Sequence, residues 1–126
     1  MTALPMRCHA YVQSRGHDVV AVEENGQKGI VFRNFLLPPG RFERATADIL
    51  IFLPSGYPDA APDMFYADPW LRLTPSGQCP RAADVSAAFV GKDWQRWSRH
   101  NTSWRPGVDG IWTMLKRIET ALTEAV

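Results

Sequence analysis

Cys79 stands alone in a Ser76-Gly77-Gln78-Cys79 loop, a setting that could support nucleophilic chemistry. Cysteine is the most nucleophilic side chain at neutral pH, and its thiolate attacks acyl carbon readily. A free cysteine is also among the most frequently buried residues, so a small apolar packing role is the competing reading of the same position. A second stretch, Lys92-Asp93-Trp94-Gln95-Arg96-Trp97-Ser98-Arg99-His100 continued by Trp104-Arg105, interleaves cations with aromatic rings. That pattern suits a single-stranded nucleic-acid platform, where bases stack and phosphates meet arginine. It is only local: 14 Lys and Arg against 13 Asp and Glu leave the chain at +1, and no nucleic-acid motif accompanies it. Packing of these rings beneath a helix, with the arginine heads reaching solvent, is the reading the whole chain favours. Cys8, His9, His17, Cys79 and His100 contain no pair at ligand spacing, which argues against a zinc site.

The 126 residues are enough for one domain, 1–126, with a real core. No apolar run approaches the ~20 residues of a membrane span, and the first residues lack the pattern of a secretory signal. Two cysteines without CxxC spacing fit reduced thiols in a cytoplasmic protein better than a disulfide framework. Leu4, Cys8, Tyr11 and Val12 share one helical face, and Gly16 stands where a C-terminal cap belongs. Alternation over 18–23 and 29–37, on either side of an Asn25-Gly26 turn, predicts a hairpin. Strands over 45–53 and 64–66 follow. Val108, Ile111, Leu115, Ile118 and Leu122, with Met114 beside them, form the apolar stripe of a helix over 108–124. Between them, 68–105 reads as one long loop rich in Pro, Gly, Ser and Trp. Such a loop is commonly functional, and its tryptophans need something to pack on. The fold class is therefore α+β: a four-stranded antiparallel meander, a short N-terminal helix, a long loop and a C-terminal helix.

Leu53-Pro54-Ser55-Gly56-Tyr57-Pro58-Asp59-Ala60-Ala61-Pro62 leads off the third strand. Its prolines fix φ and remove donors, so the chain must leave the sheet along one rigid path. With Met64 and Tyr66, this block resembles the Phe-Pro-x-x-Tyr-Pro-x-x-Pro-Pro-x-Val-x-Phe signature of ubiquitin-conjugating enzymes. Leu37-Pro38-Pro39-Gly40 with Phe42 is similar to that family's bend before the third strand. Ser76-Gly77-Gln78-Cys79 resembles its Asn-Gly-x-x-Cys loop, one residue shorter, and Trp104-Arg105-Pro106 its Trp-Ser-Pro. The likeness spans roughly residues 28–124 and is greatest to the compact bacterial members. Those lie in operons with a ubiquitin-like protein, an activating enzyme and a deubiquitinase-like peptidase. Two features depart from the pattern: Leu71-Arg72-Leu73-Thr74-Pro75 stands where the family has His-Pro-Asn, and the stretch from Cys79 to Trp104 is much longer.

The resemblance implies a transferase that receives a ubiquitin-like protein from an activating enzyme as a thioester on Cys79 and passes it to an acceptor. It implies no cofactor, nucleic acid or membrane partner. The compact bacterial members lack the family histidine and carry another after the cysteine, a description His100 fits. His100 and Asn101 are thus the polar candidates for the missing motif: His for proton transfer, Asn as an oxyanion donor. Asp84, like Asp93, could orient a histidine or ease proton loss from an acceptor. The resemblance also implies that the Ala61-Pro62 peptide is cis. It equally accommodates a catalytically inactive scaffold that binds a ubiquitin-like protein or an activating enzyme without forming a thioester.

Overall fold

The computed structural model describes residues 4–100 and 103–126. Helix α1 (Met6–Ser14) buries Cys8 and Val12. It is closed by Gly16 at φ +73°, with the Gly16 and His17 N–H groups donating to the carbonyls of Gln13 and Val12. Strands β1 (Asp18–Glu24) and β2 (Gln27–Leu36) form the expected hairpin. Asn25 and Gly26 lie at φ +50° and +80°, the two positive angles of a type I′ turn. The chain then bends at Pro38–Gly40 and continues as β3 (Thr46–Leu53) and β4 (Phe65–Asp68), each antiparallel to its predecessor.

One bulge adjusts β2. Its pairing with β3 shifts between Phe32 and Phe35, and Asn34, at φ +53°, donates its N–H to Asp48 Oδ1. The extra residue reverses the alternation, so that Phe32 and Phe35 both reach the helix-covered core.

The stretch read as a long loop contains a second hairpin. Strands β5 (Val85–Phe89) and β6 (Lys92–Trp97) pair through Val90-Gly91, and β6 also pairs with β4. The sheet among the described residues therefore has six strands, in the order β1-β2-β3-β4-β6-β5, and not four. Sequence pattern conceals this hairpin because Trp94 and Gln95 are consecutive and both buried, which erases the inside–outside alternation. Val90 also replaces the usual Asn or Asp of the turn.

Helix α2 (Ile111–Thr123) opens three residues later than its stripe suggests, and Val108 lies outside it, half-exposed. A turn through Gly107 (φ +81°) precedes it. Asp109 then organises the helix start: Oδ2 accepts the Arg105 N–H at 2.8 Å and Oδ1 accepts the Thr113 hydroxyl at 3.0 Å. The cis X–Pro bonds fall at Tyr57-Pro58, Asp68-Pro69 and Thr74-Pro75; the expected one at Ala61-Pro62 is trans. The two isomers differ little in energy at any X–Pro bond, so composition alone does not choose among neighbouring prolines.

Both helices cover one face of the sheet. Ile30, Phe32, Ile49, Ile51, Phe65 and Trp97 from that face meet Cys8 and Val12 of α1 and Ile111, Met114, Ile118 and Leu122 of α2. The other face buries Val31, Leu50, Tyr66, Phe89 and Trp94, with no helix over it among the described residues. It closes by curling. Phe52 of β3 and Phe89 of β5 have ring centroids 4.8 Å apart, although two strands separate them in a sheet whose strands lie ~4.8 Å apart. At one end the two edge hairpins meet, where the Val90 N–H donates to Glu24 Oε1 at 3.1 Å.

Candidate active site

The loop that carries Cys79 runs from the end of β4 to the start of β5 and is tied down along its length. Leu71, fully buried, opens it. Residues 72–74 pair with the bend 40–43: Phe42 and Leu73 form an antiparallel bridge, Glu43 N–H donates to Arg72 O, and Thr74 N–H donates to Arg41 O. The Thr74 hydroxyl adds a 2.7 Å bond to Gly40 O. The loop then reverses tightly, with Gly77 N–H donating to Leu73 O and Leu73 N–H to Gln78 O. Gly77 sits at φ +74°, a conformation that favours glycine. Beyond Cys79 the chain is pinned again, because Arg81 N–H donates to Val126 O after α2. The Arg41 guanidinium reaches the adjoining Ala125 carbonyl at 2.9 Å.

Both cysteines are free, and their surroundings differ. Cys8 is buried in α1 with its Sγ 3.1 Å from the Tyr57 hydroxyl. Burial, followed by this contact, pushes the Tyr57 phenol far above its usual range. Cys79 is half-buried, and the Arg72 guanidinium lies beside it, Nη1 being 3.6 Å from Sγ. The same Nη1 stands 3.5 Å from Gly77 O, so Arg72 folds back over its own loop. It occupies the stretch where the resembled family has His-Pro-Asn, and the available signal for it was a lone cation seven residues before the cysteine.

The other expected site residues make contacts of their own. His100 is exposed and its Nδ1 is 3.0 Å from Asp63 Oδ1. It lines a groove of about 580 Å³ between Asp63, Phe65 and the flank of α2 at Met114 and Arg117. Asp84 is exposed just before β5, and Asp93 is exposed within β6, where its carbonyl accepts the Trp70 indole N–H. Among the described residues no hydrogen bond joins Cys79 to His100 or Asp84. Asn101 lies outside the described residues. No group of three or more His, Cys, Asp or Glu side chains among the described residues could hold a metal ion.

The rigid path through Tyr57-Pro58 meets the chain ahead of α2. Trp104 packs on Tyr57 and donates its indole N–H to Pro58 O at 2.9 Å, so the two most distinctive motifs of the chain brace each other. The Cys79 loop is braced instead by the bend at 40–43, by the chain after α2 and by β6. The rings of the Trp/Arg-rich stretch are spent on packing. Trp97 is buried under α2, and Trp94 is buried on the opposite, curled face, not beneath the helix. Neither presents a face to a nucleic-acid base.

No helix among the described residues is long and apolar enough to cross a membrane. No curated protein and no solved structure matches the chain. The family model for prokaryotic E2 family E matches residues 4–125, nearly the whole length. With the helix-backed antiparallel sheet, the chain belongs to prokaryotic E2 family E, a ubiquitin-conjugating-like family.

Proposed function

We propose that the chain carries a ubiquitin-like protein as a thioester on Cys79, received from an adenylating activating enzyme and passed to an acceptor. The observation that carries this reading is the contrast between the two thiols. Cys8 is sealed in the core, whereas Cys79 reaches solvent on a loop fixed at both ends, with a guanidinium 3.6 Å away. In the charging step the Cys79 thiolate attacks the carbonyl carbon of the incoming thioester. A new C–S bond forms, and the donor's thiolate leaves with the electron pair of the bond that breaks.

The tetrahedral intermediate places negative charge on the former carbonyl oxygen, next to the sulfur. A donor fixed there in advance stabilises the transition state more than the ground state. Arg72 is the group within reach, so in this reading it supplies the donation that His-Pro-Asn supplies in the resembled family. His100, held by Asp63 on the α2 side, receives no step, and neither does Asp84.

The test is charging with activating enzyme, ATP and ubiquitin-like protein, followed on non-reducing gels. The wild type should give an adduct that thiol reductants release. Cys79→Ser should give none, or an ester that resists reductant, while Cys8→Ser charges normally. Arg72→Met should slow charging about 10²-fold, the usual cost of one oxyanion donor. Stable binding of the ubiquitin-like protein with no adduct in the wild type would favour the inactive-scaffold reading and reject this one.

A further inference from the structure

Gln95 is a fully buried polar side chain on β6. Its carboxamide uses every bonding capacity it has. Oε1 accepts the Leu71 N–H at 2.8 Å and the Trp97 indole N–H at 3.1 Å, and Nε2 donates to Leu71 O at 3.0 Å and to Ala83 O at 2.8 Å. Leu71 and Ala83, both fully buried, are the two ends of the segment that carries Cys79. Between them most residues are exposed, with Pro80 the buried exception. One amide therefore bridges the base of the loop, and the short carboxamide dipoles do what a row of packed side chains would otherwise have to do.

We infer that Gln95 is a positioning residue for Cys79, holding the loop closed so that the sulfur stays in register with Arg72. The inference rests on the reading of Cys79 as the acyl carrier. Among neutral side chains only the carboxamides of Gln and Asn offer two acceptor sites and two donors from one planar group, and Gln has the longer reach. An apolar residue of similar size would leave the Leu71 N–H and C=O, the Ala83 C=O and the Trp97 N–H without their partner. The segment would then open toward water, which pairs those groups only if the loop moves. Cys79 would keep its thiol and lose its fixed place beside the guanidinium.

The experiment compares alkylation of Cys79 in the full chain by iodoacetate, an anion, and by iodoacetamide, its neutral analogue, at low ionic strength with peptide mapping. In both cases the thiolate displaces iodide and a C–S bond forms. A guanidinium held beside the sulfur favours the anion, so the iodoacetate-to-iodoacetamide ratio should exceed that of the urea-unfolded chain by about fivefold. Gln95→Met should lower the ratio to that of Arg72→Met, while iodoacetamide alone reacts as fast as before or faster. A residue that merely stabilises the sheet would not shift this ratio in a folded protein. A folded Gln95→Met protein with the wild-type ratio overturns the inference and leaves the proposed function standing. Failure of native Cys79 to react with either reagent overturns both.

Amide exchange of the wild type supplies a test that needs no variant. The Leu71 N–H should be protected at least about 100-fold more than the Ser76 N–H at the loop tip, as a bond to a buried acceptor requires. Equal rates at the two amides would contradict the bridge.

Discussion

The β1–β2 and β5–β6 hairpins share one turn geometry and reach it by opposite means. Asn25-Gly26 and Val90-Gly91 each place both central residues at positive φ, +50° and +80° in the first, +44° and +77° in the second. Asparagine and glycine adopt those angles readily, whereas a β-branched residue there pays of the order of 1–2 kcal/mol. The first hairpin is thus encoded locally. The second forms because its strands are held from outside: Trp97 under α2, Trp94 and Phe89 in the curled face, and Glu24 accepting the Val90 N–H across the closing sheet. It is this second, dependent hairpin that holds the base of the Cys79 loop through Gln95. Local strain is tolerated where surrounding structure over-determines the conformation, and here it sits next to the candidate site.

The largest expected effect comes from removing what holds the second hairpin. Trp97→Ala should cost about 3–5 kcal/mol in urea unfolding, because it leaves a large cavity and strips Gln95 Oε1 of a donor. A loss under about 1 kcal/mol would show that β5–β6 stands on its own turn after all. Asn25→Val copies the poor turn into the first hairpin and should cost about 1–2 kcal/mol, the penalty of a β-branched residue at positive φ. Glu24→Ala removes a charged acceptor from the Val90 N–H and should cost about 1 kcal/mol, with faster amide exchange at Val90. Unchanged exchange would mean that the hairpin tips do not meet in solution. Val90→Asn should raise stability by less than about 1 kcal/mol, because relief at positive φ is offset by the apolar packing the side chain gives up.

The smallest effect concerns neither hairpin and serves as their control. The Arg105 N–H, with the Arg105 and Thr113 side chains, holds the Asp109 carboxyl below the usual carboxylate range. A folded-state value below the unfolded one means that this contribution is complete above about pH 4 and fades as pH falls through the folded value. Wild type should therefore lose stability on acidification from pH 5 to 3 more steeply than Asp109→Asn, measured by urea midpoints. Equal slopes would remove Asp109 from the helix start.

What could be read from the chain follows the same division. α1, β1–β4 and α2 are legible because each announces itself locally, through a 3.6-residue stripe, an Asn-Gly turn or a run of apolar residues that no polar side chain interrupts at the core. β5 and β6 are not, since adjacent Trp94 and Gln95 are buried on opposite faces of the sheet and Val90 gives no turn signal. At the candidate site, Cys79 is singled out by its Gly-containing loop and by the motifs around it, and the structure shows its thiol free and half-buried. Arg72 and Gln95 are hidden for a different reason: each acts through contacts that the fold creates, the longest spanning 24 positions. A neutral glutamine between two tryptophans has no spacing rule that would mark it. His100 attracts attention as the histidine after the cysteine, yet its partner is Asp63, 37 positions earlier.

The central claim is most directly tested by mapping where the acyl group lands. The chain would be charged with activating enzyme, ATP and ubiquitin-like protein, then digested under mildly acidic, reductant-free conditions and analysed by mass spectrometry. The account predicts a single thioester on the peptide containing Cys79, released by added thiol. Acylation of Cys8 or of a lysine, with the Cys79 peptide unmodified, would contradict it.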